Sequence, residues 1–441
     1  MNRVLVFGAG LVARPLVRYL LDRKFEVTVA SRTLSRAEAL VEGYANGRAT
    51  AFDITKEPDR LDDLIEGADL VVSLLPYIYH VQVARVCVRH RRHLVTTSYV
   101  KDEMRALDGA AREAGVILLN EIGLDPGIDH MSAMRVIHRV HAAGGKVRSF
   151  RSYCGGLPAP DANDNPLGYK FSWSPRGVVL AGRNDARYKE NGQIVEVPNA
   201  RLFATHFVMW VEGLGDLEAY PNRDSLPYID LYGIPEAETM YRGTLRNLGW
   251  CDVMQKLNEL GYFSLEERPD LPGRTFRQVM ADLIGKPDTA DLKADLAAHL
   301  NVSPNSGVMM ALEWLGLLDD IPVPPKNTLL DILADQMLAK MPYREGERDM
   351  VVLVHEFVVA YPDREERISA TLLDFGIPGG DTAMARTVGL PAAIASRLIL
   401  EGRIRLTGVH IPVVPEIYEP VLGELAALGI EGKERTTSGT S

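Results

Sequence analysis

Gly8-Ala9-Gly10-Leu11-Val12-Ala13 has the form G-x-G-x-x-A, set between an apolar run, Val4-Leu-Val-Phe7, and an amphipathic stretch. Gly8 permits a tight turn, Gly10 lets the backbone approach a pyrophosphate, and Ala13 keeps the next helix close to the sheet. The N–H groups opening that helix would face the anion. The spacing therefore predicts a dinucleotide site. An NAD site usually carries Asp or Glu at the end of the second strand, to accept the ribose 2′-OH. Here that position reads Ala30-Ser31-Arg32-Thr33. One cation and two hydroxyls suit a 2′-phosphate, which an acid would repel, so NADP is expected and NAD is less favoured. Asp53 has two open readings, holding the adenine edge or capping the next helix.

Further candidates end the later strands. Ser73-Leu-Leu75-Pro76-Tyr77, Thr97-Ser98-Tyr99 and Gly123-Leu124-Asp125-Pro126-Gly127 follow apolar runs. Ligands of open α/β sheets sit beyond the carboxyl ends of strands, so these residues face the nicotinamide by position. Asp125 would then be a carboxylate beside the reacting ring, or the cap of a turn leaving the domain.

The elements that must position them alternate in type. Strands are expected over 4–7, 27–30, 50–53, 70–75, 94–98 and 116–120, and helices over 11–23 and 35–42. Short apolar runs joined by amphipathic crossovers predict a doubly wound parallel sheet. After Pro126-Gly127 the texture changes. A helix over 129–143, a strand over 146–153 and a Gly/Pro/Asn-rich loop over 155–168 come next. Mainly helical signals fill 236–341, with helices over 275–284, 290–301 and 308–318. Two antiparallel strands are expected over 350–360 and 367–375. A helix over 382–401, broken or kinked at Pro391, and one over 416–428 precede a polar tail, 433–441, expected to fray. The fold class is α/β, a Rossmann-type sheet plus a mixed α/β substrate domain with a helical insertion. The boundaries expected are 1–127 for the dinucleotide domain, completed by helices at about 380–430. The substrate domain takes 128–235 and 342–380, and the helical insertion 236–341.

Composition limits the alternatives. The 441 residues are 46% hydrophobic and 24% charged, with net charge −10 and three separated cysteines. An acidic balance argues against nucleic acid or anionic lipid as partner. No apolar run approaches the ~18 residues that span a bilayer, no signal peptide is evident, and the cysteines suit a reducing, cytoplasmic compartment. The basic run 85–93 reads as a solvated helix face. The acidic loop at Asp161, Asn163 and Asp164 lacks the glycine and glutamate of a calcium loop. His80, His130, His138 and His141 have no metal-site spacing.

Longer runs carry a resemblance. They include Tyr99, Asn120-Glu-Ile-Gly-Leu-Asp-Pro-Gly-Ile-Asp-His130, Ser152-Tyr-Cys-Gly-Gly-Leu-Pro-Ala-Pro160 and Asp164-Asn-Pro-Leu-Gly-Tyr-Lys-Phe-Ser-Trp-Ser174. Tyr220-Pro-Asn-Arg-Asp-Ser225, Ile234-Pro-Glu-Ala-Glu-Thr239, Arg242-Gly-Thr-Leu-Arg246 and Thr387-Val-Gly-Leu-Pro-Ala-Ala-Ile-Ala395 continue them. Together they resemble the glutamate-forming saccharopine dehydrogenases over nearly the whole chain; Val81-Gln82 and 202–218 match poorly. The resemblance implies reversible, NADPH-dependent condensation of α-aminoadipate semialdehyde with L-glutamate to saccharopine, in lysine metabolism.

It also implies roles. Saccharopine would contact Ser98, Tyr99, Asp125, Arg223, Thr244, Leu245 and Arg246. The cofactor would contact Gly10, Leu11, Val12, Ala13, Ser31, Arg32, Thr33, Asp53, Ile54, Leu75, Thr97, Ser98, Leu124, Asp125, Pro126 and Ser174. A tri-acid substrate needs fixed cations, for which Arg223 and Arg246 are suited. Imine reduction needs a proton donor, and its reverse a base; Asp125, Tyr99 and Cys154 are the candidates. A homodimer is expected. Two other readings stay open: a related imine reductase of the carboxynorspermidine dehydrogenase type, and a dinucleotide-sensing protein without catalysis.

Overall fold

A computed structural model describes residues 2–438. The chain forms two compact units, Met1–Gly145 with Leu372–Glu434, and Lys146–Thr371 with Arg435–Ser441.

The first unit holds strands β1 (Arg3–Phe7), β2 (Glu26–Ser31), β3 (Gly47–Ala51), β4 (Leu70–Ser73), β5 (His93–Thr96) and β6 (Ile117–Leu119). With the strand Gly408–His410 they form a seven-stranded sheet in the order Gly408–His410, β6, β5, β4, β1, β2, β3. All neighbours are parallel. β1 and β4 are buried along their apolar runs, as a sheet covered on both faces requires. The chain order reverses between β1 and β4, and the loops after these strands open the crevice where such sheets bind ligands. The third strand runs earlier than expected, over Gly47–Ala51, so Asp53 lies beyond it.

The C-terminal helices Ala383–Leu400 and Pro415–Ala427 complete this unit. Glu424 binds Tyr19 and Arg397, joining them to the helix Ala13–Asp22. Ala383–Leu400 passes through Pro391 without a break, contrary to expectation. It also has the length and apolarity to cross a membrane, with mean hydropathy 1.3. Yet 72% of it is buried within the fold, as befits a core helix. The helix Ile128–Ala142 belongs to this unit too, where His138 Nδ1 lies 2.7 Å from the Tyr418 hydroxyl. The boundary therefore falls at Gly145 and not at 127.

The second unit is built on β7 (Lys146–Pro158), β8 (Ala186–Glu190), β9 (Gln193–Val197), β10 (Phe207–Val211), β11 (Gly215–Pro221), β12 (Thr239–Arg246), β13 (Asp349–Ala360) and β14 (Glu365–Phe375). The sheet order is β10, β11, β12, β7, β13, β14 and a last strand, Lys433–Ser438; β8 pairs with β12 and β9. β12 and β7 are parallel while β13 runs antiparallel to β7, so the sheet is mixed. Three expectations are corrected. The strand expected to stop at 153 continues to Pro158, through Gly155 and Gly156. β12, almost wholly buried, lies inside the segment expected to be a helical insertion, whose helices begin only at Trp250. The tail is a strand over Lys433–Ser438 and not frayed; 439–441 lie outside the described residues.

The helices that follow start on side-chain caps. Thr275, with Gln278, forms a capping box, and Asp291, Ser306 and Thr328 accept bonds from N–H groups of their helices' first turns.

Candidate active site

The loop between β1 and the helix Ala13–Asp22 is shaped for close approach. Gly8 has φ +105°, and a Cβ there would meet the Leu74 carbonyl oxygen at 3.1 Å. Gly10 faces open space within 4 Å of an added Cβ. The helix starts on Val12 with no side-chain cap and no acidic residue in its first turn. Ala13 N–H turns back to the Gly10 carbonyl at 3.2 Å and Pro15 has no N–H, so of the first turn it is the Arg14 N–H that faces an anion. Around this cradle Leu11, Tyr77 and Ile78 are exposed, an apolar rim that a bound ring system would cover. These features fit a dinucleotide.

Ser31 ends β2, with Arg32 and Thr33 exposed beyond it. Asp53 Oδ1 accepts from the Thr55 N–H at 3.0 Å and the Thr55 hydroxyl at 2.7 Å. The hydroxyl bond first of all holds this carboxyl below its ordinary pKa. Of its two readings, the geometry favours the local cap. Ile54 is packed in the core beside Phe7 and Phe52, and Leu75 packs against that core.

Beyond the ends of β5 and β6 two of the candidate residues meet. The Tyr99 hydroxyl donates to Asp125 Oδ1 at 3.0 Å. Asp125 is partly exposed, while Leu124 and Pro126 are buried. The turn that carries Asp125 admits only glycine at 127, because a Cβ there would lie 2.0 Å from the Gly123 carbonyl oxygen. Thr97 and Ser98 are partly buried in the preceding loop. Glu121 is a residue the motif reading left without a role. It has φ +58°, its Oε1 accepts from the Val100 N–H at 2.9 Å, and His130 Nε2 lies 2.8 Å from its Oε2. It thus braces the loop next to Tyr99.

The second unit presents the cations. Arg246 is 5% exposed, with its guanidinium 4.9 Å from the Tyr169 ring centre and 5.4 Å from that of Trp250. Its Nη1 donates to the Leu245 carbonyl at 2.7 Å, but its Nε has no hydrogen-bond partner among the described residues. Thr244 stands opposite Tyr220 on β11 and Cys154 on β7. β7 and β12 come this close because Gly155 lacks a side chain; a Cβ there would meet the Leu245 carbonyl oxygen at 2.8 Å. Leu245 is fully buried and packs. Cys154 is buried as well, as are Cys87 and Cys251. Arg223 has φ +55° in its Pro-Asn-Arg-Asp loop, where its carbonyl accepts from the Arg187 N–H at 2.9 Å. Such a conformation persists where the surroundings impose it, often at functional sites. Ser174 also lies in this unit, where its hydroxyl caps the helix Pro175–Ala181.

The discounted groups find ordinary partners. Arg89 and His90 bind Asp62, Asp161 pairs with Arg348, and Asp164 pairs with Lys170 and Arg344.

A glycine-rich cradle on a 3-2-1-4-5-6 parallel sheet, followed by a mixed-sheet unit, defines a dinucleotide-dependent oxidoreductase. Comparison with known proteins makes the class specific. Residues 4–119 match the family model of the saccharopine dehydrogenase NADP binding domain, and 123–430 that of the saccharopine dehydrogenase C-terminal domain. The chain belongs to the saccharopine dehydrogenase family. It is 41% identical to the saccharopine dehydrogenase (NADP+, L-glutamate-forming) of Schizosaccharomyces pombe, over 98% of this chain and 99% of that one. To the enzyme of the same name from Pyricularia oryzae it is 42% identical, over 99% of each. It is 38% identical to the mitochondrial alpha-aminoadipic semialdehyde synthase of Bos taurus, over 97% of this chain and 47% of the cattle protein. Among solved structures, the apo saccharopine dehydrogenase (L-Glu forming) of Saccharomyces cerevisiae superposes with TM-score 0.90, at 40% identity, covering 99% of this chain and all of that one.

Proposed function

We propose that this chain is an NADP-dependent oxidoreductase of lysine metabolism that interconverts saccharopine with L-glutamate and α-aminoadipate semialdehyde. The observation that carries the reading is Arg246. A guanidinium stays charged at any working pH, and a buried one with an unmet Nε calls for an anion. Saccharopine brings three carboxylates. Arg246 takes one, Arg223 a second, and Thr244 adds a hydroxyl donor, with Leu245 fixing the strand beneath them.

In the cleaving direction a hydride leaves the lysine-side carbon of the secondary amine as the nitrogen loses its proton, and C–N becomes C=N. Water adds to that carbon, and C–N cleavage releases glutamate and the semialdehyde. NADP+ supplies the hydride acceptor, and NADPH the donor in reverse. Gly8, Gly10 and the bare helix start hold its pyrophosphate; Ser31, Arg32 and Thr33 hold its 2′-phosphate. Thr97, Ser98 and Leu75 would line the nicotinamide side of the site. Asp125 takes the proton from nitrogen, returns it to the imine nitrogen as water adds, and then takes one from that water, while Tyr99, donating to Oδ1, holds the carboxyl group in place. Cys154, opposite Thr244, packs as a buried thiol and takes no part in proton transfer, as buried thiols are usually inert packing.

The test is absorbance in the reduced-nicotinamide band with purified protein and saccharopine, comparing NADP+ with NAD+ and assaying glutamate and lysine. NADPH and glutamate are expected together. Lysine in place of glutamate, or no turnover despite NADPH binding, overturns the reading.

The working form is a homodimer in a reducing, cytoplasmic compartment. Val208 and Trp210, exposed on the edge strand β10, support the first, and the three buried cysteines, none of them in a disulfide, the second. Sedimentation equilibrium of the protein and of Trp210→Glu checks the dimer.

A further inference from the structure

The ends of β4 and β5 are joined by one imidazole. His80 opens the helix His80–Arg89 and is buried. Its Nδ1 lies 2.9 Å from Ser73 Oγ at the end of β4. Its Nε2 lies 2.9 Å from Ser98 Oγ and 3.1 Å from Thr96 Oγ1, at and beyond the end of β5. Three hydroxyls therefore surround one ring. A neutral imidazole has one donor and one acceptor, so it bonds a hydroxyl on each side whichever nitrogen holds the proton. Burial pushes its pKa down to about 4, which keeps it neutral at physiological pH. Ser98 directly precedes Tyr99, the donor to Asp125. On the far side of Tyr99, Glu121 holds the Val100 N–H. The segment bearing Tyr99 is thus held at both flanks, by a side-chain contact before it and a backbone contact after it.

We propose that His80 is a positioning residue of the active site: it fixes the Ser98 hydroxyl, and with it the 96–99 loop that sets Tyr99 against Asp125. This rests on the reaction proposed above. His80 is buried and acts through Ser98.

Two substitutions separate positioning from packing. Glutamine places its amide near Nε2 and can still reach Ser98, whereas asparagine mimics Nδ1 and reaches only Ser73. His80→Gln is expected to keep kcat for saccharopine oxidation within about threefold of wild type, and His80→Asn to lose roughly 30-fold, as misplaced reacting groups do. The NADPH dissociation constant and thermal midpoint should be alike in the two variants. Equal losses of kcat, or losses that follow the thermal midpoint, overturn the proposal. A second arm needs no turnover. In 15N-histidine spectra of the full chain at pH 7, Ser98→Ala should move the Nε2 resonance of His80, and Ser73→Ala the Nδ1 resonance. Both resonances unmoved by Ser98→Ala overturns it. Wild-type protein inert toward saccharopine overturns the reaction reading, and the spectra then decide His80 alone.

Discussion

His80 matters for stability as well as for positioning, because all three of its partners are hydroxyls and none offsets a positive charge. Its folded pKa, about 4, lies below the 6.5 of an unfolded histidine, with burial as the cause. Between those values the unfolded chain binds the extra proton. The contribution is therefore complete above pH 6.5 and is lost as pH falls toward 4, about 3 kcal/mol in all. Urea unfolding at several pH values should show a steeper loss below pH 6.5 for wild type than for His80→Gln; equal slopes would contradict it. Partly buried His93 and His138, also lowered by burial, leave some slope in both proteins. Arg32 gives a second residue-scale prediction. If it binds a 2′-phosphate, Arg32→Ala loses a charge-assisted bond, which raises the KM for NADPH about tenfold or more and leaves that for NADH nearly unchanged. Equal effects on both cofactors would remove Arg32 from the phosphate site. The glycines, Tyr99 and Asp125 were legible in the sequence because their spacing is local. His80 and Glu121 were not, because their partners are 7 to 21 residues away and meet only when parallel strands pair.

At the scale of elements, the dinucleotide cradle depends on a helix nearly four hundred residues away in sequence. Gly389, inside Ala383–Leu400, lies against the start of Ala13–Asp22, where an added Cβ would meet the Val12 carbonyl oxygen at 2.8 Å. Backbone cannot yield as a side-chain tip can. Gly389→Ala should shift the helix start and weaken NADPH binding about tenfold, with a stability loss of about 1–3 kcal/mol. Fluorescence titration with NADPH reads the first and urea unfolding the second. Gly423→Ala is the control: it sits in the Pro415–Ala427 helix with nothing within 4 Å of the added Cβ, so binding should be unchanged and stability equal or higher. An unaltered dissociation constant for Gly389→Ala would show that the cradle tolerates the shift. Pro391 is instructive beside it. Sequence logic expects a break, but proline removes only one backbone bond, and burial of most of that helix holds it continuous.

For the molecule as a whole, most of the parallel sheet was readable because strands such as β1, β4 and β6 are short apolar runs, whereas β3, Gly-Arg-Ala-Thr-Ala, was misplaced and Gly408–His410 was missed; of the mixed sheet, β7, β13 and β14 were legible and β8 to β12 and the last strand were not. β12, Thr-Met-Tyr-Arg-Gly-Thr-Leu-Arg, carries two arginines and a glycine and looked like part of a helical insertion; pairing with β7 and β11 makes it central. The last strand, Lys-Glu-Arg-Thr-Thr-Ser, is polar throughout, so no alternation announced it. Its place explains its composition. It follows β14 at one end of the sheet, where charged residues discourage pairing with other chains. Arg435 is anchored to Glu212 at 2.5 Å, within the same unit. Removing Lys433 and all that follows would leave β14 as the open edge. Its inward residues Ile368, Ala370 and Leu372 are buried. An apolar edge strand of this kind recruits other chains, so the truncated protein should form soluble aggregates on size exclusion. Its thermal midpoint should fall by about 4 °C or more, as the loss of one to two kcal/mol would give in a unit of this size. NADPH affinity should not change, since the residues removed from the first unit, Lys433 and Glu434, reach it through the Glu434 pairs with Arg135 and Arg139 and not through the cradle. A truncated chain that stays monodisperse with an unmoved midpoint would show that β14 does not depend on its neighbour. Lost NADPH binding would show instead that the last strand supports the first unit as well.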